Sequence, residues 1–220
     1  MFAVALDGPS GAGKSSIAKA AAKELGFVYV DTGALYRTIG LYLLEHGLDP
    51  KDPAQVEPAL PEIQVELRHD PEGQKMFLCG REVTGLIRTP EVSMAASRCS
   101  AHPAVRAFLL ELQRELARKN NVLMDGRDIG TVVLPEARLK VFLTATPEER
   151  ARRRVKQLQE SGHEAEYGEI LKDIQQRDYQ DTHRETAPLK QAEDAVFLDT
   201  TELSFTEVVE KLVGLVNGRR

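Results

Sequence analysis

The sequence predicts an α/β fold: a five-stranded parallel sheet with helices on both faces, carrying one insertion with a small antiparallel sheet. Three observations lead there. Short apolar runs alternate with helix-length amphipathic stretches along most of the chain, the pattern of a doubly wound open sheet. The first apolar run passes straight into a glycine-rich turn and then a helix. Near residues 60–100 the pattern changes to period-two alternation broken by turn residues, as in half-buried antiparallel strands.

Residues 2–6 are an apolar run of strand length, and residues 16–25 read as a helix with Ile17, Ala20, Ala21 and Leu25 inward. Residues 27–30 form a second strand, entered by Gly26 and ending in Asp31-Thr32-Gly33. A helix follows over 34–46, with Gly47 suited to the position just past its end. Residues 48–61 hold four prolines and many acids and read as a connector with one helical turn. Ile63, Val65 and Leu67 then alternate with Gln64, Glu66 and Arg68. Asp70-Pro71-Glu72-Gly73 signals a turn, and 75–79 and 80–84 continue the meander. Helices are expected over 91–100 and 103–119, the second with Val105, Phe108, Leu109, Leu112 and Leu116 at helical spacing. Buried strands return at 121–125 and 139–144. A basic helix over 147–161 opens on Pro147, a residue fitted to a first turn. A longer charged helix covers 166–184, a fifth strand 195–198, and a closing helix 204–216, where Ser204 and Glu207 make a capping box.

A chain of 220 residues, 42% hydrophobic and 29% charged, suits one large globular domain with insertions. No apolar run reaches the ~18 residues of a membrane span. The N-terminal apolar stretch is too short for a signal peptide and lacks a basic leader, so a cytoplasmic protein is expected. Cys79 and Cys99 lack metal-ligand spacing and read as free thiols. A net charge of -5 argues against nonspecific nucleic-acid binding. Any polyanion site must be local and built from clustered arginines.

Three constellations fall at the carboxyl ends of expected strands, where such sheets bind ligands. Gly8-Pro9-Ser10-Gly11-Ala12-Gly13-Lys14-Ser15 fits G-x-x-x-x-G-K-[ST], a loop that wraps a nucleoside triphosphate, and Ser16 continues it into the helix. Gly8, Gly11 and Gly13 let the backbone turn its N–H groups onto phosphate oxygens. Lys14 supplies a point charge for the β and γ phosphates. Ser15 places a hydroxyl where a phosphate-bound Mg²⁺ would sit. The second constellation is Asp31-Thr32-Gly33-Ala34-Leu35-Tyr36-Arg37, a hydroxyl followed one helical turn on by a guanidinium. The third is Asp125-Gly126-Arg127-Asp128-Ile129-Gly130-Thr131. An acid that ends a buried strand beside a phosphate loop is a natural Mg²⁺ partner; the plainer reading of Asp125 is a turn cap.

Arginines complete the pattern. Arg177, Asp181 and Arg184 share one helix face, an arrangement that a solvated surface also produces. Arg150, Arg152, Arg153 and Arg154 place four like charges in five residues, which repel unless anions are near. An enzyme that moves a phosphoryl group between nucleotides needs such charge to hold several phosphates and neutralise the one in flight. Cationic residues on a lid also exclude water as a competing acceptor. The five histidines share no spacing and read as surface or capping residues.

In these residues the chain resembles the bacterial cytidylate kinases, within the nucleoside monophosphate kinase group. The resemblance rests on GPSGAGKSS, DTGALYR, GREVTGLIRTPEVSMAAS, HPAVR, LMDGRDIGTVV and RDYQDTHRETAPL, which run through the whole chain in order. The glycine-rich loop alone marks only a P-loop protein; DGRDIGTVV and IRTPEVS are far more specific. The resemblance implies a core over about residues 1–35, 118–150 and 185–220, a nucleoside-monophosphate-binding region over about 36–117 and a short arginine-bearing lid over about 151–168. It implies transfer of the γ-phosphoryl group of ATP, with Mg²⁺, to CMP or dCMP, and a monomer. Ser97, Arg106 and Asp128 would address the cytosine. A carboxylate takes the N4 amino hydrogens well and faces a carbonyl in uracil, which it rejects. Arg37, Arg127, Arg177 and Arg184 would hold the acceptor phosphate and the group in transfer. Asp181 would reach the sugar, with Thr32 nearby, where many relatives have serine. Arg150 and Arg153 would be lid arginines on the ATP side. The chemistry does not clearly require a general base, because the attacking phosphate oxygen is already an anion; Asp128 is the less favoured candidate for that role.

Two other readings compete. Another small-acceptor kinase, for UMP or shikimate, predicts no carboxylate aimed at N4. A nucleotide-dependent switch predicts an Asn-Lys-x-Asp stretch after a late strand, and none occurs.

Overall fold

The apolar runs become strands of one sheet. The computed structural model describes residues 1–70, 73–160, 162 and 164–220. In chain order the elements are β1 (Ala3–Asp7), α1 (Lys14–Leu25), β2 (Val28–Asp31), α2 (Thr32–Glu45), α3 (Pro53–Ala59), β3 (Val65–Asp70), β4 (Gly73–Leu78) and β5 (Arg81–Glu82). They continue with α4 (Pro90–Cys99), α5 (Pro103–Lys119), β6 (Val122–Gly126), β7 (Leu139–Thr144), α6 (Pro147–Glu160), α7 (Tyr167–His183), β8 (Val196–Asp199) and α8 (Phe205–Asn217).

The five-stranded parallel sheet has the order β2-β6-β1-β7-β8. β1 pairs with β6, setting Leu6 opposite Asp125 and Asp7 opposite Gly126, and on its other side with β7. All of β6 is buried, and β1 is buried from Val4 on, as expected of parallel strands covered on both faces. The loops leaving β1 and β6 are therefore neighbours at the carboxyl edge, where the strand order divides.

The chain forms two compact units, one of Met1–Val28 with Asn120–Arg220 and one of Tyr29–Lys119. In the first, α1 packs on α8 and α6 on α7. The capping box of Ser204 and Glu207 is present at the start of α8, whose Val208, Leu212 and Val216 are buried. In the second unit α2 packs on α4, and β3, β4 and β5 make the small antiparallel sheet. Leu35, Ile39, Leu43, Met76, Ile87 and Leu109 fill its core, each burial contributing about 1.5–3 kcal/mol.

Some expectations change. β1 extends to Asp7, and α1 begins at Lys14. α2 begins at Thr32, because the Asp31 carboxylate accepts the Ala34 N–H at 3.0 Å and caps the helix there. The connector holds more helix than a single turn: Asp52 caps α3, Pro53 fits its first turn, and a 3₁₀ turn follows over Leu60–Glu62. The third strand of the meander shrinks to Arg81–Glu82. A π-helical turn, unforeseen from the sequence, covers Ile129–Val133. Pro71 and Glu72 of the expected turn, Ser161 at the end of the basic helix, and His163 lie outside the described residues. Both cysteines are free, Cys79 exposed and Cys99 buried. Among the described residues no helix is long and apolar enough to cross a membrane.

Candidate active site

Gly8 leaves β1 at φ 151°, and a Cβ there would lie 1.9 Å from the Leu143 carbonyl oxygen of β7. Only glycine lets the loop pass so close to the sheet. Gly13 occupies the N-cap of α1 in the left-handed region and offers no side-chain cap. The first-turn N–H groups thus face the loop, where an anion gains both hydrogen bonds and the helix dipole. Gly11, Ser15 and Ser16 are exposed, whereas Lys14 is buried at 6% exposure and donates from Nζ to the Pro9 carbonyl at 2.7 Å. Burial, and then the Arg127 guanidinium, push Lys14 down to about 7, against the pull of Asp125, Asp181 and Asp7. A phosphate on this lysine would reverse that shift by pairing with its charged form.

Ser15 Oγ donates to Asp125 Oδ2 at 2.7 Å, and Asp125 is buried at the end of β6. These two oxygen donors suit Mg²⁺, which keeps waters and phosphate oxygens as its remaining ligands. No larger cluster of His, Cys, Asp or Glu that could hold an ion occurs among the described residues.

The turn after β6 meets α7. Arg127 Nε donates to Asp181 Oδ2 at 2.8 Å, and Arg184 Nη1 lies 4.0 Å from Asp181 Oδ1. Arg184 Nη2 lies 3.6 Å from Asp128 Oδ1, while its Nε donates to the Ala187 carbonyl at 2.7 Å. Burial opposes the charge on Arg127, but Asp181, with Asp125 and Asp7, outweighs it and holds that guanidinium above its ordinary range. Arg177 sits half-buried on the same helix; partial desolvation, and then the like charge of Arg177, hold the Arg154 guanidinium below its ordinary range. The first unit therefore brings together Lys14, Ser15, Asp125, Arg127, Asp128, Asp181 and Arg184.

The basic run on α6 is anchored to the rest of its unit by Arg150 and Arg153. Arg150 is 2% exposed. It donates to the Ala145 carbonyl at 2.9 Å, to the Ser10 carbonyl of the loop at 2.9 Å, and through both terminal nitrogens to the Asp178 carboxylate. Arg153 bonds the Thr200 carbonyl at 2.6 Å and pairs with Glu149, and Arg152 also pairs with Glu149. Asp178 and Glu149 thus offset part of the positive charge of this run. Arg150 braces the phosphate loop against α7.

In the second unit, Asp31 caps α2 and also accepts from Arg37 Nη2 at 2.7 Å. Thr32 is buried beside this cap, and Ser97 is half-buried on α4. Arg106 on α5 is 9% exposed, reaches the Ser100 carbonyl near the end of α4 at 3.3 Å, and lies over the Tyr36 ring at 5.6 Å.

Three residues with evident roles went unremarked in the sequence: Asp7, Asp178 and Thr200. Asp7 was within reach, since it is also an acid ending a buried strand beside the phosphate loop. Its Oδ1 and Oδ2 accept the Ile129 and Gly130 N–H groups, each at 2.7 Å.

A parallel sheet of this order with a phosphate loop at its central strand defines the P-loop kinase fold. Solved structures share it: a gluconokinase from Sinorhizobium meliloti at TM-score 0.51 and 15% identity, covering 99% of this chain and 93% of its own, and an uncharacterized protein from Eubacterium ventriosum at TM-score 0.56 and 9% identity, with both chains fully covered. The family model for cytidylate kinase matches residues 4–218. A cytidylate kinase of Carboxydothermus hydrogenoformans is 49% identical over 99% of this chain and 97% of its own length. One from Caldicellulosiruptor bescii is 47% identical over 96% of this chain and 94% of its own. The chain belongs to the cytidylate kinase family, a family of phosphotransferases.

Proposed function

We propose that this protein transfers the γ-phosphoryl group of ATP to CMP or dCMP, giving ADP and CDP or dCDP. The observation that carries the reading is the joining of the phosphate loop, the Ser15–Asp125 pair and the Arg127–Asp181–Arg184–Asp128 cluster within one unit. The backbone from Gly8 to Ser16 and the Lys14 ammonium take the donor phosphates. Ser15 and Asp125 hold Mg²⁺, which when bound neutralises charge on the phosphates. Arg127, Arg177 and Arg184 hold the acceptor phosphate and the group in flight. Their fixed charges favour the transition state because they need no reorganisation as negative charge shifts between donor and acceptor.

Asp128 accepts the cytosine amino hydrogens, and Asp181 orients the sugar. Thr32, Arg37, Ser97 and Arg106 are assigned to the acceptor nucleotide by their family motifs alone. Arg153 is assigned to the donor side by its family position. Arg150 serves the donor by holding the loop carbonyl of Ser10. The protein works as a cytoplasmic monomer with small-molecule partners only. The test is a coupled ADP-release assay with ATP and Mg²⁺ against CMP, dCMP, UMP, AMP and shikimate. CMP and dCMP should be preferred by orders of magnitude in kcat/KM; equal use of UMP, or preference for shikimate, would overturn the reading.

A further inference from the structure

The short turn that begins at Ile129 is not capped by the residue in front of it. Asp128 occupies the N-cap position at φ −142° and ψ 27°, yet its side chain makes no cap hydrogen bond. An aspartate there ordinarily folds back onto the first N–H groups of the turn. Here Asp7, from 122 and 123 residues away, supplies both acceptors, at 2.7 Å to Ile129 and 2.7 Å to Gly130. The Asp128 carboxylate lies instead 3.6 Å from Arg184.

The arrangement is tightly built. Asp7 is 5% exposed, and the β1–β6 register sets it opposite Gly126. A Cβ on Gly130 would meet Asp7 Oδ2 at 3.3 Å and Lys140 Cδ at 3.1 Å, so the close approach of the carboxylate depends on that glycine. Asp7 also ends the strand that feeds the phosphate loop. One side chain therefore ties the donor loop to the turn that presents Arg127 and Asp128.

The geometry points to Asp7 as a positioning residue for base selection: by capping the turn in place of Asp128, it keeps the Asp128 carboxylate turned toward Arg184 and available to the cytosine amino group. This rests on the assignment of Asp128 to the base. A purely structural anchor would lower stability and slow every acceptor alike. A positioning residue changes the ratio between acceptors.

The test uses the full chain and compares kcat/KM for CMP and UMP, with KM for ATP, in wild type, D7N, G130A and D128N. The D7N amide keeps the shape but offers one acceptor and turns an N–H₂ group toward the second backbone donor. The CMP-to-UMP ratio should fall by at least about 10-fold in D7N, through KM for the acceptor more than through kcat, because small displacements of a positioned group cost that much. KM for ATP should stay within about 2-fold of wild type, far below the cost expected for a displaced group. G130A, which presses on Asp7 without altering its charge, should move the ratio in the same direction and decides the matter if D7N does not fold. An unchanged ratio in folded D7N or in G130A, with the ratio collapsed in D128N, would refute the role of Asp7 alone. An unchanged ratio in D128N would remove the base assignment and this inference with it.

Discussion

Replacing Arg150 with methionine separates a buried brace from an exposed lid arginine. Methionine keeps much of the apolar stem and removes the guanidinium. Four hydrogen bonds are lost, to Ala145, to Ser10 and two to Asp178. Removing one partner of a buried pair costs about 3–5 kcal/mol. The Asp178 side chain retains 24% exposure, so water relieves part of that, and about 2–4 kcal/mol is the expected loss. For a chain of this size each kcal/mol lowers Tm by roughly 2–4 °C, which gives a fall of about 4–16 °C. Differential scanning calorimetry measures it, and D178N with the double variant completes a cycle. The double variant should be clearly less destabilised than the sum of the singles, because both remove the same pair. KM for ATP should rise as well, since the Ser10 carbonyl loses its anchor. A Tm within about 2 °C of wild type, a shift worth under 1 kcal/mol, together with a raised KM for ATP, would refute the brace and return Arg150 to direct donor contact.

Further outcomes follow from the same geometry. Lys14→Ala should cut kcat by about 10²–10³-fold or more with Tm little changed, read by steady-state kinetics beside a thermal melt; wild-type turnover would exclude a phosphate role. Asp181→Ala should cost more kcat/KM with ribosyl than with deoxyribosyl or arabinosyl acceptors; equal losses would contradict its assignment to the sugar. Asp7 gives a pH signature. Burial raises its carboxyl from 3.8 to about 6 despite the two backbone hydrogen bonds, so the folded state binds its proton more tightly than the unfolded state. Stability from this group is present below the unfolded value and is lost as pH rises through about 6. Denaturant titration of D7N against wild type should therefore show the difference moving in favour of D7N by roughly 2 kcal/mol between about pH 4 and pH 7. A pH-independent difference would argue that the carboxyl titrates normally.

The site was legible in the sequence where chemistry is local and missed where it is tertiary. Lys14, Ser15 and Asp125 follow from two strand ends and one loop motif, and the Ser15–Asp125 bond spans a pairing that the parallel sheet itself enforces. The basic run on α6 announces charge but not which member turns inward. Arg150 turns inward because Ser10, 140 residues before it, and Asp178, 28 residues after it, supply its acceptors. Asp7 carried the same signal as Asp125, but the turn that it caps cannot be found by spacing. The π-helical turn over Ile129–Val133 lacks any sequence period of its own, being too short to show one. In the fold, the strands were legible because parallel strands buried on both faces are continuous apolar runs. The short helix α3 was obscured by its prolines, although Asp52-Pro53 is a start signal once capping is considered.

The most direct measurement is the product itself. With ATP, Mg²⁺ and CMP, ³¹P NMR should show the γ resonance of ATP fall while the two resonances of CDP and those of ADP rise in step. Inorganic phosphate in place of CDP, with CMP unchanged, would show that this site passes its phosphoryl group to water and would contradict the account.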